Sequence, residues 1–345
     1  MEKQTSYKSK IKALMVQLKA KYFLLYFILA VGFILSFAIP EYNLLDKYVQ
    51  LIIIYIGINI ILATSLNLVN GYMGEFSVGH AGFMSAGAYI ASIFTVKVFP
   101  AGQAAWVFPS AVIAGGAGAA ILGCIVAIPS FKTRGDYLAI VTLAFNMIVK
   151  SVLENIDAVG GARGFVGMDK LTTLPWTFFW TIASVWLIRN FIYSNYGRGM
   201  LSIREDEIAS ELMSVNTRQV KLLSFVISSF FAGVAGGLFA HLLQFINPRM
   251  FDIIKSTDVL VMIYLGGVGS IAGSVIGATV YTILLEILRP LEIWRMVIMP
   301  LILVLLMIFR PRGIIGAREF PWFIPKVDLD IGVNDASDFR GTKKQ

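Results

Sequence analysis

Apolar positions along this chain fall in long, nearly unbroken runs separated by short polar links. The runs cover about residues 22–39, 48–69, 104–128, 137–153, 173–193, 220–245, 257–288 and 297–309, with a further one ending near Val96. About 20 predominantly apolar residues cross the hydrocarbon core of a bilayer. The pattern therefore predicts an all-α polytopic membrane protein, with about 8 transmembrane helices plus re-entrant or broken segments. The fourth helix is expected to stop before Pro129, which cannot continue it. Asn146 and Lys150 lie on the fifth helix, where the lysine is expected to snorkel to the interface. A polar, glycine-rich loop, 154–170, is placed outside.

One stretch interrupts the pattern. From Leu66 to Ser92 the chain reads LNLVNGYMGEFSVGHAGFMSAGAYIAS, with Asn67, Asn70, Glu75, Ser77 and His80 set among Gly71, Gly74, Gly79, Gly82 and Gly87. Each glycine costs a helix about 1 kcal/mol against alanine. A broken backbone within hydrocarbon needs protein or a water-filled cavity to satisfy its freed polar groups. The stretch is read as a lipid-shielded helix break beside a transport path; the plainer reading is a close helix-packing seam. Glu75 has two readings as well. It is solvated at the cytoplasmic headgroup level, or it faces a polar cavity and bonds to nearby Asn, Ser or His side chains.

A second glycine-rich interruption, LGGVGSIAGS, cuts the run 257–288 and contains Gly266, Gly267, Gly269 and Gly273. Nine simple crossings from an inside N-terminus would leave Arg310, Arg312 and Arg318 outside, against the positive-inside tendency. A re-entrant half-helix over 257–267 puts both termini inside, and that topology is preferred. Two glycine breaks in separate halves of a transporter point to an internal pseudo-repeat with the path between them.

The longest charged insertion is 196–221. Between Gly199 and Val215, Leu201, Ile208, Leu212 and Val215 share one helical face, while Arg204, Glu205, Asp206 and Glu211 decorate the rest. A single amphipathic helix outside the membrane is expected. Helices that lie on headgroups are rich in Lys and Arg; here acids outnumber bases, which favours docking into a groove on a protein partner. Asn216 and Gln219 form a capping arrangement before the next helix.

Composition agrees with the pattern: 57% of the 345 residues are hydrophobic and 14% charged, with mean hydropathy +0.76. The net charge of +8 does not indicate nucleic acid, because Lys3, Lys8, Lys10, Lys12, Lys19 and Lys21 crowd ahead of the first apolar run. That placement retains a tail, residues 1–21, in the cytoplasm near anionic membrane lipid. Residues 22–312 form the membrane domain, with 196–217 as its cytoplasmic loop, and 313–345 a cytoplasmic tail. Ser36 and Ala38 have small-x-small spacing, but the run before them exceeds a signal core, so an uncleaved first helix is expected. Cys124 is alone. His80 and His241 lack metal-ligand spacing, and GGVGSIAGS has no lysine for a phosphate. No enzyme constellation and no bound cofactor are expected in this chain.

The segments GYMGEFSVGHAGFMSAGAY, RGDYLAIVTLAF, GARGFVGM, GRGMLSIREDEIASELMSVNTRQVKLLSFVISSFFAGVAGGLFAH, INPRMF and LGGVGSIAGSVIGA, in this order, closely resemble bacterial branched-chain amino acid ABC transporter permeases of the LivM type. The resemblance runs from about Leu62 to Pro311. It implies a multi-pass protein of the cytoplasmic (inner) membrane, paired with a homologous second permease subunit. It also implies two ATPase subunits that bind ATP and Mg, and an extracytoplasmic substrate-binding protein. The coupling role of the family's cytoplasmic loop carries over to Gly197, Arg198, Arg204, Glu207 and Ala209. Asn67, Gly74, Glu75, Ser77, Gly79, His80 and Gly82, with the four glycines of the second break, are the candidate path or break residues. Two departures stand out: Glu75 where relatives commonly have Gln, and Ser214 where a Gly is common. The function expected is ATP-driven uptake of branched-chain or related amino acids; permeation of urea, short amides or another small polar solute, or ion-coupled carriage, are the alternatives.

Overall fold

The structure is a computed structural model that describes residues 29–99, 104–131, 137–310, 313–316 and 318–320. The basic tail 1–21 and all of 321–345 lie outside these residues. The first described helix, α1, covers Leu29–Glu41. It is followed by α2 (Lys47–Asn67), α3 (His80–Ile93), α4 (Ala104–Ser130), α5 (Tyr137–Asn155) and α6 (Leu174–Ile192). The cytoplasmic insertion holds α7 (Asn195–Glu205) and α8 (Glu207–Leu212), and then come α9 (Thr217–Leu243), α10 (Ile253–Gly266), α11 (Ile271–Ile287) and α12 (Arg295–Phe309).

Among the described residues, five helices are long and apolar enough to cross a membrane, or up to six if the bent α10–α11 pair is one span. The remaining helices of the expected eight or so are α1, described only from Leu29 on, α6, which carries Arg189 and Asn190, and α12 of 15 residues. α4 does not stop before Pro129; it runs on to Ser130. The proline sits in the last turn, where it removes one helical donor, and the Phe131 amide still donates to the Ala127 carbonyl at 3.0 Å beyond it.

The centre of the fold is the trio α3, α4 and α9, whose backbones come unusually close. A Cβ at Gly87 would lie 2.2 Å from the Gly233 Cα, and one at Gly233 would lie 2.5 Å from the Ala119 methyl. Without a hydrophobic force between helices in lipid, such close packing is what holds them together. Around it lie α2 with α6 on one side, and α5, α10 and α11 on others. At the outer end, the loop 154–170 does form turns, and β1 (Phe165–Val166) pairs antiparallel with β2 (Phe245–Ile246). This short ladder ties the outer loop to the chain that leads into α10.

Candidate translocation break and coupling loop

The first break is real and longer than a kink. After Asn67, α2 widens into a π-helical turn, Leu68–Met73, and ends at Gly74 with φ +79°. Residues 75–79 are not helical. At one end of them, the Glu75 carboxylate meets the Lys221 ammonium of α9 at 2.5 Å. At the other end, His80 shares a 2.8 Å hydrogen bond with the Ser65 hydroxyl, and the Ser65 carbonyl accepts from Ser228 of α9. Lys221 and Ser228 are seven residues apart on one helix, roughly 10 Å at 1.5 Å per residue. The non-helical segment therefore climbs that distance into the protein, and α3 begins inside the bundle.

Protein groups satisfy this stretch, as a break in hydrocarbon requires. Asn70 and Ser77 exchange two hydrogen bonds of 3.2 Å, side-chain amide to backbone. The Val78 amide donates to Thr142 Oγ1 of α5, and Gly79 lies flat on the Thr142 carbonyl. Gly82 in turn rests on Asn146. The Ala81 amide, in the first turn of α3, donates to Ser256 Oγ in the first turn of α10.

The second break joins α10 to α11 with a bend of 119°, a geometry shared by a broken span and a re-entrant loop. Gly266 and Gly273 face one another across the bend: a Cβ at Gly266 would lie 1.8 Å from the Gly273 carbonyl oxygen. Gly267 has φ +138° and packs on Gly316.

The two breaks are stapled together. Asn67 donates to the Ser270 carbonyl at 2.8 Å and to Ser274 Oγ at 2.7 Å, and accepts from the Gly269 amide at 2.9 Å. Both amide hydrogens and the carbonyl oxygen of its side chain bond to the second break, as a 1% exposed polar side chain needs. Gly71 is small because Gly269 lies against it.

The cytoplasmic insertion is two helices, not one. Asp206 leaves helical geometry (φ −160°, ψ 113°) and its side chain accepts from the Ala209 amide, capping α8. The helix turns there because a new N-cap competes with continuation. Several of the expected coupling residues point inward. Gly197 is packed under the Ile192 carbonyl. Arg204 donates to the Gly71 carbonyl at 3.0 Å, covers Gly74 with its aliphatic stem and brings its guanidinium against Gly269. Glu207 reaches Lys221 at 2.7 Å. Arg198 and Ala209 are exposed, as is an apolar edge of Ile208, Leu212 and Met213, the last two at 81% and 80%.

Glu75 is therefore at the inner end of the bundle, but it is neither merely solvated nor bonded to Asn, Ser or His. It belongs to a carboxylate–lysine–carboxylate triad with Lys221 and Glu207. The sequence reading missed Lys221, although a lone lysine in the first turn of an apolar helix and a lone glutamate at the end of another were both visible. It also missed Tyr72 and Glu319. The Tyr72 hydroxyl donates to Glu319 at 2.5 Å, and Glu319 accepts from the Ile271 and Ala272 amides at the start of α11. A carboxylate at a helix N-terminus is favoured by the dipole and by the free amides there. Lys150, expected to snorkel, instead pairs with Asp252 at 2.8 Å and joins α5 to the start of α10.

The triad gives a graded expectation. Glu75→Gln keeps a hydrogen bond to Lys221, which retains Glu207, so solute uptake should stay within about twofold of wild type. Glu75→Leu should lower uptake several-fold at equal membrane level, because a buried lysine loses one partner. Equal uptake by both variants, measured in cells, would remove Glu75 from the working parts.

The comparisons with known proteins agree with this architecture. The family described as "Branched-chain amino acid transport system / permease component" matches residues 48–309. The chain is 31% identical over 311 residues to the high-affinity branched-chain amino acid transport system permease protein LivM of Escherichia coli (strain K12), covering 80% of this chain and 70% of that protein. It is 27% identical over 190 residues to the LivH permease protein of Salmonella typhimurium, covering 53% and 60%. The probable LivM permease of Methanocaldococcus jannaschii is 24% identical over 224 residues, covering 57% and 65%. No solved structure matches. The chain belongs to the branched-chain amino acid transport permease family. It is a multi-pass inner-membrane permease subunit of an ABC importer, a transport component and not an enzyme, of a kind that works with a second permease component.

Proposed function

We propose that this chain forms one half of a permease pair that imports branched-chain or related amino acids. Hydrolysis takes place in two separate ATPase subunits, which bind ATP and Mg and seat against α7 and α8. A binding protein outside delivers the solute to the outer loops. The relatives named LivM and LivH supply the cargo class.

The observation that carries the coupling role is the attachment of the insertion to both breaks at once. Arg204 holds the Gly71 carbonyl and lies on Gly269. Glu207 shares Lys221 with Glu75. A push on α8 from below cannot move it without pulling on the backbone of each break. The exposed edge of Ile208, Leu212 and Met213, rimmed by Glu205 and Glu211, has the form of a helix that lays an apolar side into a partner's groove.

Leu212→Arg tests the seat directly, since Leu212 is 81% exposed and the change leaves the chain's own packing alone. Co-purification with the ATPase subunits should fall at least tenfold, with leucine uptake lost and the variant still inserted in the membrane. Full ATPase retention with full uptake would overturn the seat.

A further inference from the structure

A second polar feature adjoins the first break, at the junction of α3, α5 and α10. All three helices pack on one another. The α5 residues Thr142, Asn146, Lys150 and Glu154 repeat every four positions and so share one face. On α3, Ala81 touches α10 through Ser256 and Gly82 touches α5 through Asn146. Ser85 and Tyr89 continue the same stripe at helical spacing, between those two contacts. Lys150 and Asp252 bridge α5 to the start of α10 and close the third side.

At this junction the bonding does not balance. Both polar atoms of the Asn146 carboxamide, the Ser85 hydroxyl and the Tyr89 hydroxyl are buried and find no hydrogen-bond partner among the described residues. Their residues are 1%, 1% and 2% exposed. An unsatisfied buried polar group costs about 1–3 kcal/mol, and the site would be cheaper with leucine. Orphaned hydroxyls and an indole nitrogen also occur on α6, at Trp180, Thr181 and Ser184. Among the described residues, none of the ion pairs involves an α6 neighbour of that set. The α3–α5–α10 set has the Lys150–Asp252 pair beside it, and α3 and α10 begin here, at the same depth, with their positive ends together.

We propose that this junction is the lane taken by the zwitterionic head of the carried amino acid, with Asn146 as its central contact. The carboxylate accepts from Asn146 Nδ2 and is favoured by the two helix starts. The ammonium donates to Asn146 Oδ1 and to the Ser85 and Tyr89 hydroxyls. The Lys150–Asp252 pair opposes a charge of either sign with a partner of the other. This inference rests on the amino-acid cargo proposed above.

The test uses the complete transporter and radiolabelled leucine. Asn146→Leu should lower leucine uptake at least tenfold, with unchanged membrane level and a melting temperature no lower than wild type, because it removes only unsatisfied atoms. A purely structural asparagine would not show that separation. A second measurement does not depend on the leucine variant folding. In a Cys124→Ala background, Asn146→Cys should react with a cationic thiosulfonate reagent, and saturating leucine should slow the reaction at least fivefold. Wild-type leucine uptake by Asn146→Leu, or thiol modification indifferent to leucine, overturns the lane while leaving the cargo intact. A wild-type transporter that carries no leucine overturns both.

Discussion

Replacing Lys221 with methionine is expected to abolish coupled uptake, by at least tenfold, while the protein still reaches the membrane. Its side chain is 8% exposed and sits between Glu75 at 2.5 Å and Glu207 at 2.7 Å. Taking away the cation leaves two carboxylates facing each other at the inner end of the bundle. Removing one partner of a buried ion pair costs about 3–5 kcal/mol. The lower end applies here, since the Glu207 side chain keeps 42% of its exposure. One way to relieve the repulsion is for α8 to swing out, which detaches the insertion from the first break. ATP hydrolysis by the assembled transporter should then continue without uptake. Adding Glu75→Gln and Glu207→Gln to the variant should recover thermal stability but not transport, since charge balance returns and the linkage does not. Tight coupling in Lys221→Met would show that force reaches the breaks by another route, with Arg204 as the remaining link.

Leucine at Gly266 is expected to prevent folding of the second break altogether. A Cβ there would lie 1.8 Å from the Gly273 carbonyl oxygen and 3.0 Å from the Gly277 Cα. Both neighbours are backbone, so no rotamer change relieves the clash. α10 and α11 would have to separate, which also withdraws Ser270, Ser274 and Gly269 from Asn67. The membrane-extracted protein should aggregate or be degraded. Gly199→Ala serves as the control, because its Cβ meets only side-chain methyls, of Val220 at 3.3 Å and Val215 at 3.6 Å, and alanine favours helix α7. Normal amounts of folded Gly266→Leu protein, measured by detergent gel filtration, would mean that the hairpin is looser than described.

Much of this was legible in the chain. The run lengths placed the helices to within a few residues, since a bilayer imposes a length on any span. Glycine clusters marked both breaks, because close backbone approach in lipid leaves few other choices. What could not be seen was which polar residue answers which. Glu75 and Lys221 are 146 positions apart, and the 3.6-residue period carries no information about contacts between helices. Asn67 was singled out as a polar residue of the first break, but its partners lie 202 to 207 positions away. The insertion looked like one helix because its apolar period runs through Asp206; the cap that divides it is a local competition the period cannot register. Asn146 was noted only as a residue on a helix, since a missing partner is a property of the folded state alone.

The order of synthesis gives the Glu319 contacts a further meaning. Tyr72 is made early, and the carboxylate that binds its hydroxyl and the α11 amides comes 247 residues later. Ile314 and Ile315 donate to the Leu265 and Gly266 carbonyls in the same late stretch. Until the ribosome has passed Glu319, the start of α11 lacks its anion and the inner ends of α10 and α11 are open. The bundle can be inserted helix by helix, but this clasp on its inner face is closed only by residues that follow the last membrane helix. A nascent chain arrested before that point would be a permease with its inner end unclasped, and a ready target for quality-control proteases.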